Sequence, residues 1–295
     1  MRSDQGAYLD RFIHEVSSGD ARRVWERYVG LMAGTSQVVE ISTDSAQAAR
    51  CSYLRLALTR LDWRQVLALF AAARYSQQQV SRLMLANTRD HCFGIGLADY
   101  RSARRESRVK LYNFYHRSTV PVDISGHLKR TVDEIGSDWQ PVKEDLRLFR
   151  KVRVSAVDFY RDGERDLKVY YGPFLTRDIW GRFREIFPRE ARSRYRELAA
   201  AGALPPLVLF CVRNGSSGRS VRTDFWYMTR HIPVYLRLVD NGTASRLYRN
   251  LGLIKQRAIL TFVGMDLGLR PRTHFYFELN AWLAPEGSGA RDFRY

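Results

Sequence analysis

The stretch Glu106–His116, ESRVKLYNFYH, decides how the chain is read. It alternates as a β-strand does, with Arg108, Lys110, Tyr112 and Phe114 on one face and Val109, Leu111, Asn113 and Tyr115 on the other. Two cations and two rings do not share a solid apolar core without an anion to neutralise them. If Val109 and Leu111 lie under helices, the opposite face must line a wet, charged and aromatic space. Such a space is a site.

Four further strand-like pairs surround this one. They fall near residues 36–42 with 49–59, 152–161 with 165–171, 206–213 with 223–229, and 257–265 with 272–279, and the quoted stretch pairs with 91–98. The first strands of the five hairpins recur roughly 50 to 60 residues apart, with helical spacing between them, as in RQVLALFAAARYSQQQVSRLMLAN and GRFREIFPREARSRYRELAA. The DG turn in FYRDGERDLKVYY and the loop in FCVRNGSSGRSVRTDFWYM mark two of the turns.

Ten antiparallel strands are many for an open twisted sheet, and closure removes both edges. The expected fold is therefore α+β: a ten-stranded antiparallel barrel ringed by helices, in ααββ repeats. A barrel of ten strands is wider than the eight-stranded kind that side chains just fill, so its lumen can hold a ligand. One domain over 1–295 is expected, with N-terminal helices over 1–35 and a tail over 283–295. Strands in other repeats repeat the pattern: Lys168 with Tyr170, Glu40 with Ser42, and His274 with Tyr276 and Glu278 each share a face.

Composition narrows the class. The chain has 295 residues, is 45% hydrophobic and carries a formal charge of +17, mostly arginine spread along its length. That charge calls for an anionic partner, but it forms no basic tail or block of the kind nucleic-acid binders often carry. No apolar run long enough to span a bilayer is present, and the N-terminus lacks a signal peptide's apolar centre, so a cytoplasmic, membrane-free protein is expected, and a monomer is the separate expectation for its assembly. Cys51, Cys92 and Cys211 show no pairing spacing and read as small buried hydrophobes.

A lumen of Arg and Lys beside Tyr and Phe suits a particular chemistry. Cations from neighbouring strands clamp a diphosphate, and ring faces stabilise positive charge. Together they fit ionisation of an allylic diphosphate, with a lone carboxylate, Glu40, available as proton acceptor. FGIGLAD lacks the lysine and spacing of a nucleotide phosphate loop, and no metal-binding cluster occurs. A bound Mg²⁺ would lean on the ligand's own oxygens and on a carboxylate such as Asp158 or Glu40.

The stretches GIGLADYRSARRESRVKLYNF and VDFYRDGERDLKVYY resemble the motifs GxGxDxR…(D/E)SRLKxFxF and xDFYxDGxxxxxxY of the cyanobactin-type peptide prenyltransferases, which are αββα-barrel enzymes. The likeness takes in VVEIS, the Arg50–Trp63 region and the strands FCVRN, TFVGMD and THFYFEL. It implies transfer of a dimethylallyl or geranyl group from its diphosphate to a side chain or terminus of a linear or macrocyclic ribosomal peptide, assisted by Mg²⁺. By position it makes Glu40 the base and Arg50, Arg108 and Lys110 diphosphate contacts, and Lys168, Arg213 and His274 are expected to join that clamp. It makes Tyr170 and Tyr276 shielding rings and puts Phe262 beside the prenyl group; Tyr112 and Phe210 are expected in the same pocket, and Asp158 is the candidate metal ligand. Lys168 departs from the acidic or neutral residue the family carries there, and His274 from a common Arg. A barrel acting instead on an indole or phenol, and a basic nucleic-acid-binding module, are the alternatives.

Overall fold

The computed structural model describes residues 39–44, 51–58, 67, 70–71, 92–100, 108–115, 121–160, 162–187, 189–202, 206–215, 218–226, 258–266 and 273–279. Ten strands lie among them. In chain order they are β1 Val39–Asp44, β2 Cys51–Leu58, β3 Cys92–Tyr100, β4 Arg108–Phe114 and β5 Val152–Tyr160. Then come β6 Arg165–Leu175, β7 Leu207–Gly215, β8 Gly218–Trp226, β9 Ala258–Asp266 and β10 Thr273–Leu279. Each pairs antiparallel with its sequence neighbour, and β1 pairs with β10, so the sheet closes into a barrel. The first and last strands are hydrogen-bonded partners, which ties the ten described strands into one sheet. Residues 1–38 and 280–295, with the expected N-terminal helices and tail, lie outside the described residues.

The expected hairpins fall where the alternation placed them, with two differences. β6 runs on to Leu175, past Gly172–Pro173, where the register shifts between Tyr171 and Phe174. β8 starts at Gly218 rather than near 223, because Gly215 pairs with Gly218 and most of SVRTDFW joins the ladder. Gly218 has φ of +95°, a conformation that a side chain would strain, so glycine belongs at that tight reversal.

Helices cover the outer face of β4–β7. α1 (Ile124–Ile135) starts at Asp123, whose carboxylate accepts from the Gly126 N–H, and stops at Gly136 in the left-handed region. α2 (Trp139–Phe149) is capped by Asp138 in the same way, through the Gln140 N–H. α3 (Arg189–Ala200) follows Pro188, so the helical spacing read through 181–200 breaks into a short turn and then a helix. Leu128 and Val132 of α1, and Val142 and Phe149 of α2, are fully buried. Their spacing of four residues in α1 and seven in α2 makes one apolar stripe per helix.

The outer core is aromatic. Phe149 stacks on Tyr171 of β6 at 4.6 Å and meets Phe210 of β7 at 5.1 Å, with Phe183 5.0 Å from Phe210. Helical Phe70 packs edge-on against Phe159 of β5 at 5.3 Å. Phe159 is the register partner of Val109, so Val109 and Leu111 share the helix-covered face. The opening stretch is therefore oriented as its apolar residues require. Arg108, Lys110, Tyr112 and Phe114 face the lumen.

Candidate active site

The inner face can be followed as hoops of register partners. One runs Glu40–Arg55–Gly96–Lys110–Asp158–Asp166 across β1 to β6. The next runs Tyr112–Ala156–Lys168–Arg213–Ser220 across β4 to β8. β3 contributes Gly94, Gly96 and Ala98 opposite Tyr112, Lys110 and Arg108. Small residues therefore hold the register positions beside the cations, which accounts for the glycine pattern of FGIGLAD without a phosphate loop.

Asp158 is the centre of the described lumen, fully buried. Its Oδ2 accepts a hydrogen bond from Lys168 Nζ at 2.6 Å and forms ion pairs with Arg108 Nε at 2.9 Å and Lys110 Nζ at 3.8 Å. Its Oδ1 has no hydrogen-bond partner. Burial alone would raise the Asp158 pKa, but Lys110, Lys168 and Arg108 outweigh it and hold the carboxyl well below the usual range. Burial in turn pulls Lys110 well below the ordinary lysine value, against Asp158 and with Lys168, Arg108 and Arg222. Lys168 is lowered for the same reason.

Further ion pairs extend the cluster. Arg213 Nε and the Tyr160 hydroxyl each donate to Asp166 Oδ2 at 2.7 Å. Arg222 holds Asp224 with two bonds, 2.6 and 2.8 Å. The Arg108 guanidinium also lies over the Tyr160 ring at 5.3 Å. Five cations thus face three carboxylates, and the described inner wall keeps a positive surplus. On the same face Tyr112 and Phe114 stack at 6.0 Å, and half-buried Tyr170 is the register partner of Cys211.

Of the residues expected at the site, Arg108, Lys110, Lys168, Arg213, Tyr112 and Tyr170 come together on this wall. Phe210 does not. It sits on the opposite face of β7, fully buried against Phe149, Phe183 and Phe187, because strand alternation puts it beside the lumen-facing Cys211 rather than with it. Arg50 lies outside the described residues. Glu40, Phe262, His274 and Tyr276 are placed by register only: Glu40 opposite Glu278 and Arg55, and Tyr276 opposite Ser42 and Phe262. Their side chains lie outside the described part, as does that of His274, opposite Asp44. Sequence reasoning missed Asp166, Tyr160, Arg222 and Asp224. The signal was the i, i+2 pairing of opposite charges in RDLK and RTD, legible only once both strands are known to line the lumen.

Asp158 does not fit a Mg²⁺ ligand. Its Oδ2 is already shared by three cations, and a divalent ion beside them would meet strong repulsion. Among the described residues no group of three or more His, Cys, Asp or Glu side chains could hold a metal.

No protein-family model matches the chain, and no curated protein matches it. Solved structures do. A 6-dimethylallyl tryptophan synthase superposes with a TM-score of 0.61 at 14% identity, over 93% of this chain and 95% of that one. A 5-dimethylallyltryptophan synthase from Streptomyces coelicolor gives 0.59 at 12% identity, over 94% and 97%. The Micromonospora olivasterospora 6-dimethylallyltryptophan synthase, solved with DMASPP and Trp, gives 0.57 at 13%, over 90% and 89%. The fold is that of the prenyltransferase barrels. No helix among the described residues is long and apolar enough to cross a membrane.

Proposed function

We propose that this chain is a prenyltransferase that moves a dimethylallyl or geranyl group from its diphosphate to an aromatic nucleophile, with a free indole or phenol as the acceptor class. The observation that carries the reading is the surplus of buried positive charge on the inner wall, gathered at Arg108, Lys110 and Lys168 around one carboxylate. An anion of two or three charges fits that surplus. A nucleic-acid duplex cannot enter a barrel, so the inward position of these cations favours a small ligand.

The chemistry follows from the wall. Arg108, Lys110, Lys168 and Arg213 hold the diphosphate oxygens, and their charge stabilises the leaving anion as the allylic C–O bond breaks and its electron pair passes to oxygen. Tyr112, Phe114 and Tyr170 face the allylic cation and keep water from it. The nucleophile's electron pair forms the new bond to the allylic carbon, and its proton leaves to Glu40. In this reading Arg108, Lys110, Lys168 and Arg213 supply the neutralising charge themselves.

A peptide acceptor is the second reading. It is favoured by the SRVKLY and DFYRDG motifs at the β3–β4 and β5–β6 hairpins. The whole-chain likeness to dimethylallyltryptophan synthases favours the free aromatic. Competition separates them. The purified chain with dimethylallyl diphosphate, offered L-tryptophan together with cyclic peptides containing Trp and Tyr, should prenylate the free amino acid first. Exclusive labelling of the peptides would install the second reading, and labelling of neither would remove both.

A further inference from the structure

Asp166 lies at the end of β6 nearest the DG turn and is 1% exposed. Its register partner on β7 is Gly215, which pairs in turn with Gly218 where the β7–β8 hairpin reverses. Gly215 is not in the left-handed region, so its backbone conformation does not call for glycine. Space does. A Cβ at 215 would overlap Oδ1 and Cγ of Asp166, so the carboxylate occupies the room that the missing side chain leaves. Seated there, it reaches two neighbours through one oxygen: Oδ2 accepts from Arg213 Nε on β7 and from the Tyr160 hydroxyl on β5, each at 2.7 Å. The Tyr160 ring in turn lies under the Arg108 guanidinium of β4, 5.3 Å from the ring centre. One carboxylate therefore connects two arginines of the clamp, Arg213 directly and Arg108 through a ring.

We propose that Asp166 is a positioning residue, seated by Gly215, that aims the Arg213 guanidinium at the donor's diphosphate. This rests on the reading of the lumen as a diphosphate site. An arginine that must find its direction at each binding event loses rotamer freedom at that moment. A hydrogen bond to Nε fixes the plane of the guanidinium beforehand. The sign of the effect separates this role from plain electrostatics. A carboxylate beside an anion site repels the anion, so its removal would tighten binding if charge alone counted. As a positioning residue, its removal weakens binding instead.

The test is calorimetric titration of the full chain with inorganic diphosphate at fixed pH and salt, with the fold of each variant checked by circular dichroism. Asp166→Ala should raise the Kd by about tenfold, the scale of one coupled charge-assisted contact. Asp166→Asn removes the same charge but keeps an oxygen for Arg213 Nε, so it should recover most of the affinity that Asp166→Ala loses. Gly215→Ala keeps the charge and unseats it, so it too should weaken binding, yet change nothing when added to Asp166→Ala. Affinity in folded Asp166→Ala equal to or tighter than wild type overturns the proposal, as does equal affinity in Asp166→Ala and Asp166→Asn. A Gly215→Ala effect that persists in the Asp166→Ala background also overturns it, by placing that effect on the hairpin turn. If Asp166→Ala does not fold, Gly215→Ala alone decides: weaker binding supports the role and unchanged affinity overturns it. A wild-type chain that binds no diphosphate would overturn the reading of the site, and this role with it.

Discussion

Replacing Asp158 with asparagine keeps the shape of the lumen and removes its central charge. Lys168, Arg108 and Lys110 then lose the negative charge on the oxygen they share at 2.6, 2.9 and 3.8 Å. Breaking one partner of a buried ion cluster typically costs about 3–5 kcal/mol, because the remaining charges stay desolvated and unpaired. At two to four degrees per kcal/mol for a chain of this size, melting should fall by about 10 °C near pH 6. The loss should shrink towards pH 9, since both lysines have lowered pKa values and can shed the protons that Asp158 no longer stabilises. Inorganic diphosphate should restore stability, by about 2.7 kcal/mol at a hundredfold excess over its Kd. Circular dichroism melts of wild type and variant at the two pH values, with and without diphosphate, read all three effects. A variant that melts within 2 °C of wild type at pH 6 would show that Asp158 does not hold the cations.

Other perturbations probe separate parts of the wall. Arg108→Ala should raise the donor KM or lower kcat by at least about tenfold, because a desolvated charge-assisted contact is lost, and steady-state kinetics would register it. Glu40→Gln should cut transfer by roughly 10²-fold while donor affinity, measured by calorimetry, stays unchanged. Phe210→Ala should destabilise the fold by about 3–5 kcal/mol in urea unfolding yet leave diphosphate affinity alone, since the ring packs on helices. Acid should unfold the wild type in part through Asp158: its folded pKa lies below the unfolded value, so its contribution is present above about pH 4 and is lost as pH falls further.

The barrel was legible because alternation and spacing are local properties of the chain. ESRVKLYNFYH states its own two faces, and the need to put Val109 and Leu111 under helices settles which one is inside. What alternation could not supply is the partner of each charge. Asp158 was visible as a carboxylate in DFYRDG, but that it gathers cations from β4 and β6 depends on registers set by long-range pairing. Phe210 was misplaced because FCVRN is apolar on both faces at that end, and only the position of Phe149, Phe183 and Phe187 tells the outer ring from the inner. The reach of β8 was shortened in the reading because SGRS looked like loop, whereas glycine at 215 and 218 lets the hairpin turn tightly.

The most direct test of the central claim is mass spectrometry of a reaction mixture holding the purified chain, dimethylallyl or geranyl diphosphate, and a panel of indoles, phenols and cyclic peptides, with free diphosphate quantified alongside. The account predicts an acceptor heavier by one prenyl group for each diphosphate released, and both products formed at least about tenfold more slowly by Arg108→Ala at limiting donor. Failure to bind or consume either donor with every acceptor, by a chain shown to be folded, would contradict it.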